Sequence, residues 1–112
     1  MKIAFTSKGT TLDAAMDPRF GRTEYFLIYD EESGHIETFD NRDLAAEAHG
    51  AGPKASQRLA EFGPNVLITG NGPGGNAATV LERLGLDIYI GAGDMSVQEA
   101  LNAYKAGKLE KV

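Results

Sequence analysis

Residues 65–84, NVLITGNGPGGNAATVLERL, constrain the fold most, because they call in immediate succession for a buried strand, a turn almost without side chains and an amphipathic helix. Asn65, Val66, Leu67, Ile68 and Thr69 make a short apolar run of mainly β-branched residues. A strand covered on both faces reads this way, so parallel pairing is expected. The run Gly70-Asn71-Gly72-Pro73-Gly74-Gly75 leaves a backbone able to take positive φ and to approach a ligand closely, with Pro73 stiffening the bend. Ala77, Val80, Leu81 and Leu84 follow at helical spacing, and Gly85 suits the C′ stop. The loop therefore delivers main-chain N–H groups at a helix start, where anions are favoured.

A chain of 112 residues has room for one core, and nothing in it reads as a linker, so a single domain over 1–112 is expected. No apolar run approaches the ~20 residues of a membrane helix. The N-terminus turns polar by Thr6 without a signal-peptide pattern, so a cytoplasmic location and no membrane partner are expected. The absence of cysteine excludes disulfides, thiolate catalysis and cysteine-ligated metal centres, leaving His, Met, Asp, Glu or backbone to hold any metal. A net charge of −5 argues against nucleic acid as a nonspecific partner. The cations are uneven, however, with Lys8, Arg19 and Arg22 close together in the first loop and Arg42, Lys54 and Arg58 mid-chain.

From the N-terminus, residues 2–7 predict a first strand, and residues 10–23 a long loop of the kind that carries function. Residues 24–30 and 35–41 predict a second and third strand joined by the hairpin turn 31–34, with Glu37, Thr38 and Asp40 marking the third as an outer edge. Asp43 is placed to cap a short helical turn reaching Ala48, Pro53 to begin a helix that Gly63-Pro64 stops, and residues 87–90 to form a fifth strand. Ser96 and Glu99 have capping-box spacing at the start of a last helix that ends at Gly107.

The resulting order, βββαβαβα, is a meander followed by right-handed crossovers. It predicts an α/β fold with one five-stranded mixed sheet in the order 3-2-1-4-5. Strand two is antiparallel, the first two helices share one face and the last covers the other. The chain leaves strands one and four in opposite directions, so a crevice opens at their carboxyl ends, and ligands bind in such crevices. The loops 8–23, 41–52, 70–76 and 91–94 reach that edge. His49 therefore falls at the crevice and His35 at the far end of the sheet. Phe20, between Arg19 and Arg22, either closes over a planar or anionic ligand or plugs the core, and Met16 either packs or serves as a soft ligand.

Several stretches occur together in order: Lys2-Ile3-Ala4, Arg19-Phe20-Gly21-Arg22 before Tyr25-Phe26, His49-Gly50-Ala51-Gly52, Ile68-Thr69-Gly70-Asn71-Gly72, and 97–101 with 104–107. Over almost its whole length the chain thus resembles the dinitrogenase iron-molybdenum cofactor biosynthesis family of nitrogenase accessory proteins. The resemblance implies a three-layer ribonuclease-H-like fold. It also implies a non-catalytic carrier that holds an iron–sulfur or iron-molybdenum cofactor, its precursor or a molybdenum-copper sulfide cluster noncovalently, with cluster donor or acceptor proteins as partners. On this basis Ser7, Arg19, Phe20, Arg22, His49, Gly50, Gly70, Asn71, Gly72 and Gly74 are the expected cofactor-binding residues, and His49 the expected metal ligand. Where many members have histidine in an HFGR stretch this chain has Arg19, which exchanges a metal ligand for a cation and favours electrostatic capture.

Other readings compete with the carrier. Gly70-x-Gly72-x-x-Gly75 matches the dinucleotide fingerprint, with Asp94 roughly the expected ~20 residues beyond. It follows the fourth strand rather than the first, and no second mononucleotide unit is present. A nuclease needs carboxylates that the first strand lacks; Asp13, Asp17 and Asp94 read as turn formers. Ser7, His49 and Asp94 lack a nucleophile elbow. A scaffold that binds a protein partner without any cofactor remains an open alternative.

Overall fold

In a computed structural model that describes residues 1–46 and 51–112, the chain runs β1 (Lys2–Ser7), β2 (Tyr25–Asp30), β3 (Ile36–Asp40), α1 (Arg42–Ala45), α2 (Ala51–Ala60), β4 (Val66–Ile68), α3 (Gly75–Arg83), β5 (Asp87–Ile90), α4 (Val97–Lys105) and β6 (Glu110–Lys111). One mixed sheet holds all six strands in the order β3-β2-β1-β4-β5-β6. The meander is antiparallel, with Phe5 opposite Leu27 and Phe26 opposite Phe39, while β1, β4 and β5 are parallel, with Ile3 opposite Val66 and Leu67 opposite Ile88. The predicted order 3-2-1-4-5 is therefore correct, and the sheet gains one strand beyond it.

That extra strand, β6, pairs antiparallel with β5 through Tyr89 opposite Lys111 and Ile90 opposite Glu110. Two exposed polar residues carry no alternation that a sequence pattern could register. Two local expectations also change. α2 begins at Ala51, so Pro53 lies inside its first turn, where the missing N–H is not needed by the helix. Asp43 does not cap α1: Asn41 is the N-cap residue, and the Asp43 carboxylate instead receives both Arg58 Nη atoms at 2.9 Å. The part of the predicted turn at residues 47 and 48 lies outside the described residues.

Alternation along the strands divides the core in two. Ala4, Phe26, Ile28, Leu67 and Ile88 face Leu44, Ala55, Leu59, Ala77 and Leu81 on the α1–α2–α3 side. Ile3, Phe5, Leu27, Val66 and Ile68 face Met16 and the Val97, Ala100 and Leu101 stripe of α4. The predicted assignment of the helices to the two faces holds. Each fully buried Leu, Ile or Phe contributes about 1.5–3 kcal/mol, which is how a strand as short as β4 is held: Val66, Leu67 and Ile68 are all at most 2% exposed. The last helix has its capping box, with Ser96 Oγ accepting from Glu99 N–H at 3.1 Å and Glu99 Oε1 accepting from Ser96 N–H at 2.9 Å.

Candidate functional site

β1 and β4 lie side by side and end in the same direction, so their exits meet first. The Thr6 hydroxyl donates to the Asp17 carbonyl at 2.6 Å, and since it has one proton, its 2.8 Å contact with the Thr69 hydroxyl is one it accepts. Both threonines are fully buried. The pair thus ties the first loop to the β4 exit beneath the surface.

Above this tie, main chain from separate loops comes into direct contact. A Cβ added to Gly70 would lie 2.6 Å from Pro18 Cα and 3.0 Å from Gly93 Cα, so no side chain fits there. The Pro18 carbonyl accepts the Asn71 N–H at 2.9 Å, and the Gly70 carbonyl accepts the Gly91 N–H at 3.0 Å. On the α4 side, Met16 N–H donates to the Met95 carbonyl and Val97 N–H to the Ala14 carbonyl, each at 2.9 Å. Loops leaving β1, β4 and β5 are therefore fastened together at Pro18, Gly70 and Gly93. Gly72 has φ +85° and its missing Cβ would come within 3.2 Å of Ile90 Cγ2, so it turns the chain where a side chain would be strained.

The first loop is organised by Asp17. Its carboxyl, with no exposed surface, accepts the Arg19 N–H at 3.0 Å, Arg19 Nε at 3.0 Å, Arg19 Nη2 at 3.1 Å and the Glu24 N–H at 3.2 Å. Burial pushes this carboxyl up, but the Arg19 guanidinium and the two backbone N–H groups outweigh it and hold the pKa below the usual value. Arg19 stays 54% exposed. Arg22 turns away from it, giving Nη1 to the Ala45 carbonyl of α1 at 2.8 Å. The Phe20 ring is 3% exposed and edge-on to Phe26 with centroids 5.5 Å apart, so of the two uses open to it, it fills the core. Met16, 1% exposed, also packs.

Downstream, Gly74 is the N-cap of α3 and offers no side-chain cap, and neither α3 nor α2 has an acidic residue in its first turn. Among the described residues nothing lies within 4 Å of a Cβ placed on Gly74 or Gly75. The two helices start side by side, with a Gly52 Cβ falling 3.3 Å from Ala77 Cβ, and Ser56 Oγ donates to the Gly52 carbonyl at 3.0 Å. The macrodipoles of both helices thus present positive ends on the same side, with no carboxylate in either first turn.

Of the expected site residues, the structure joins Gly70 and Asn71 to the first loop at Pro18, the residue before Arg19, sets Gly72 against Ile90 and Gly74 at the start of α3, and buries Ser7 with its hydroxyl engaged by Gly9. Phe20 contributes its ring to the core, and Arg22 points to α1. His49 and Gly50 lie outside the described residues. Sequence reasoning missed Thr6, Asp17, Pro18, Thr69 and Gly93 as the residues that hold the loops together. Only Asp17-Pro18-Arg19 carried a signal, an Asx-type turn pattern. Among the described residues no group of three His, Asp or Glu side chains is placed to hold a metal ion. The concave surface lined by Phe39, Asp40, Arg42, Asp43 and Arg58 is occupied by the Arg42–Asp40 and Arg58–Asp43 ion pairs. No helix among the described residues is long and apolar enough to cross a membrane.

Fold and site define a small three-layer α/β protein in which, among the described residues, the loops at the exits of β1, β4 and β5 are joined chiefly through main-chain contacts. The chain belongs to the dinitrogenase iron-molybdenum cofactor family, whose sequence profile matches residues 1–107. An uncharacterized protein of Methanocaldococcus jannaschii is 35% identical, the alignment covering 99% of this chain and 91% of that one. Among solved structures, the apo form of the orange protein from Desulfovibrio gigas superposes with a TM-score of 0.93 at 33% identity, covering 99% of this chain and 92% of that one. A putative NifB protein from Thermotoga superposes with a TM-score of 0.84 at 42% identity, covering 98% and 91%. This kinship supports a role connected with a metal cofactor.

Proposed function

We propose that the protein is a non-catalytic carrier that holds a metal–sulfur cluster, of the iron-molybdenum or molybdenum-copper sulfide type, noncovalently at the crevice between the β1, β4 and β5 exits, and passes it between donor and acceptor proteins. The observation that carries this reading is the donor set. With no cysteine in the chain and no acid in the first turns of α2 and α3, the crevice offers main-chain N–H groups and the Arg19 guanidinium, which are hydrogen-bond donors rather than metal ligands. Such a set suits a preassembled sulfide-rich polyanion, which brings its own metal ligands and needs charge-assisted donors around it. His49 is the imidazole we assign to this site, as a direct ligand or a further donor.

The test is anaerobic addition of tetrathiomolybdate, with and without copper(I), to the purified protein. Charge-transfer absorption that travels with the protein through gel filtration and weakens as ionic strength rises is the expected result. Absence of uptake would discard the carrier and favour a protein-binding scaffold. His49→Ala is expected to reduce retention well below that of His35→Ala, since exposed His35 sits beside the hairpin at the opposite end of the sheet; equal retention would remove His49 from the site.

A further inference from the structure

Arg19, next to the Pro18 that touches Gly70, is not a loose cation. A guanidinium has two edges that can each bind an anion through parallel N–H bonds, Nε with Nη2 and Nη1 with Nη2. Asp17 takes the first edge completely, with Nε to Oδ1 at 3.0 Å and Nη2 to Oδ2 at 3.1 Å. It also holds the Arg19 main chain through Oδ1 at 3.0 Å and the far end of the loop through the Glu24 N–H. Arg19 Nη1 has no hydrogen bond among the described residues, and the side chain is 54% exposed. The residue before it, Pro18, is the one that contacts Gly70 and receives the Asn71 N–H. A side chain with this many rotatable bonds would otherwise lose much entropy on fixing a ligand.

We infer that Asp17 is a positioning residue for cargo: by gripping the Nε edge of Arg19 it holds the Nη1 edge in place beside the glycine loop as a fixed two-pronged donor for one face of an anionic cluster. The inference rests on the carrier reading and deepens it by naming the specific contact. It also reverses what charge alone would give. Asp17 lowers the positive charge of the site, so its removal would strengthen anion binding if the cargo sensed only net charge. If orientation dominates, removal weakens binding.

Dissociation constants for tetrathiomolybdate at low ionic strength, measured on wild type, Asp17→Asn and Arg19→Lys, separate these cases, with the amide spectrum checking the fold of each. Asp17→Asn keeps the shape but loses the clamp, and Arg19→Lys keeps the charge but loses the fork. Both are expected to bind about tenfold more weakly or worse, the size of one charge-assisted hydrogen bond, and the wild-type Arg19 Nε–H resonance is expected to shift when tetrathiomolybdate is added. Binding by Asp17→Asn as tight as or tighter than wild type would overturn the inference and leave the carrier standing. Should Asp17→Asn fail to fold, Arg19→Lys decides, and binding equal to wild type overturns the inference. No binding by wild type would overturn the carrier and this inference together.

Discussion

A carboxyl group sealed from water would ordinarily be a liability, and Asp17 is stable there because every bond it makes is with a donor in its own loop or at the loop's end. Its lowered pKa keeps it ionised across the physiological range, so the clamp on Arg19 does not open with modest changes of pH. The sequence announced a turn at Asp17-Pro18 but not its burial, which goes with two bonds from outside the turn, Thr6 Oγ1 to the Asp17 carbonyl and the Glu24 N–H at the loop's end to the carboxylate. Glycine shows the same division. Gly70 and Gly74 look alike in the sequence, yet only Gly70 has a backbone atom, Pro18 Cα, at 2.6 Å from where a Cβ would go. Gly70→Ala is expected to cost about 1–3 kcal/mol through forced backbone displacement, and Gly74→Ala less than about 1 kcal/mol. Denaturant unfolding measures both, and equal losses would mean that the junction yields.

At the level of elements, legibility followed pattern length. The last helix was readable because Ser96 and Glu99 have a fixed spacing with a defined mechanism, and both halves of the box form. Ser96→Ala is expected to lower stability by about 1 kcal/mol, measured by the shift in the unfolding midpoint. A negligible shift would show that α4 is held by its Val97, Ala100 and Leu101 stripe alone. The start of α1 was harder to read, since Asn41 Nδ2 donates to the Gly21 and Thr23 carbonyls at 3.2 and 3.0 Å and its side-chain oxygen makes no cap. Asp43, which had the residue type of a cap, is drawn to Arg58 across fifteen positions. β6 left no trace because its two residues alternate too briefly to show a face. At Asn41 and Asp43 a long-range partner overrode a local preference.

The whole molecule was legible through handedness. Right-handed crossovers to β4 and β5 permit only one placement of their helices, and the two separate cores follow from it. Since both cores share β1 and β4, damage to either should loosen the same sheet. Leu59→Ala on one face and Leu101→Ala on the other are each expected to cost about 2–5 kcal/mol and to shift a single cooperative transition. Two resolved calorimetric transitions in either variant would show that the faces unfold independently. The dinucleotide alternative also lost ground at this scale, because β1 runs into an antiparallel neighbour, whereas the Rossmann glycine turn follows the first strand of a parallel unit.

The fastening of Pro18, Gly70 and Gly93 has one more consequence. A mount assembled from peptide groups leaves a rim side chain such as that of Asn71 interchangeable, because Asn71 is tied to the frame through its main-chain N–H to the Pro18 carbonyl, whereas Arg19 is bound into it by the buried Asp17 carboxylate. On the carrier reading the protein is a socket with a few replaceable contacts, and redesigning its cargo is a problem of surface residues rather than of the fold.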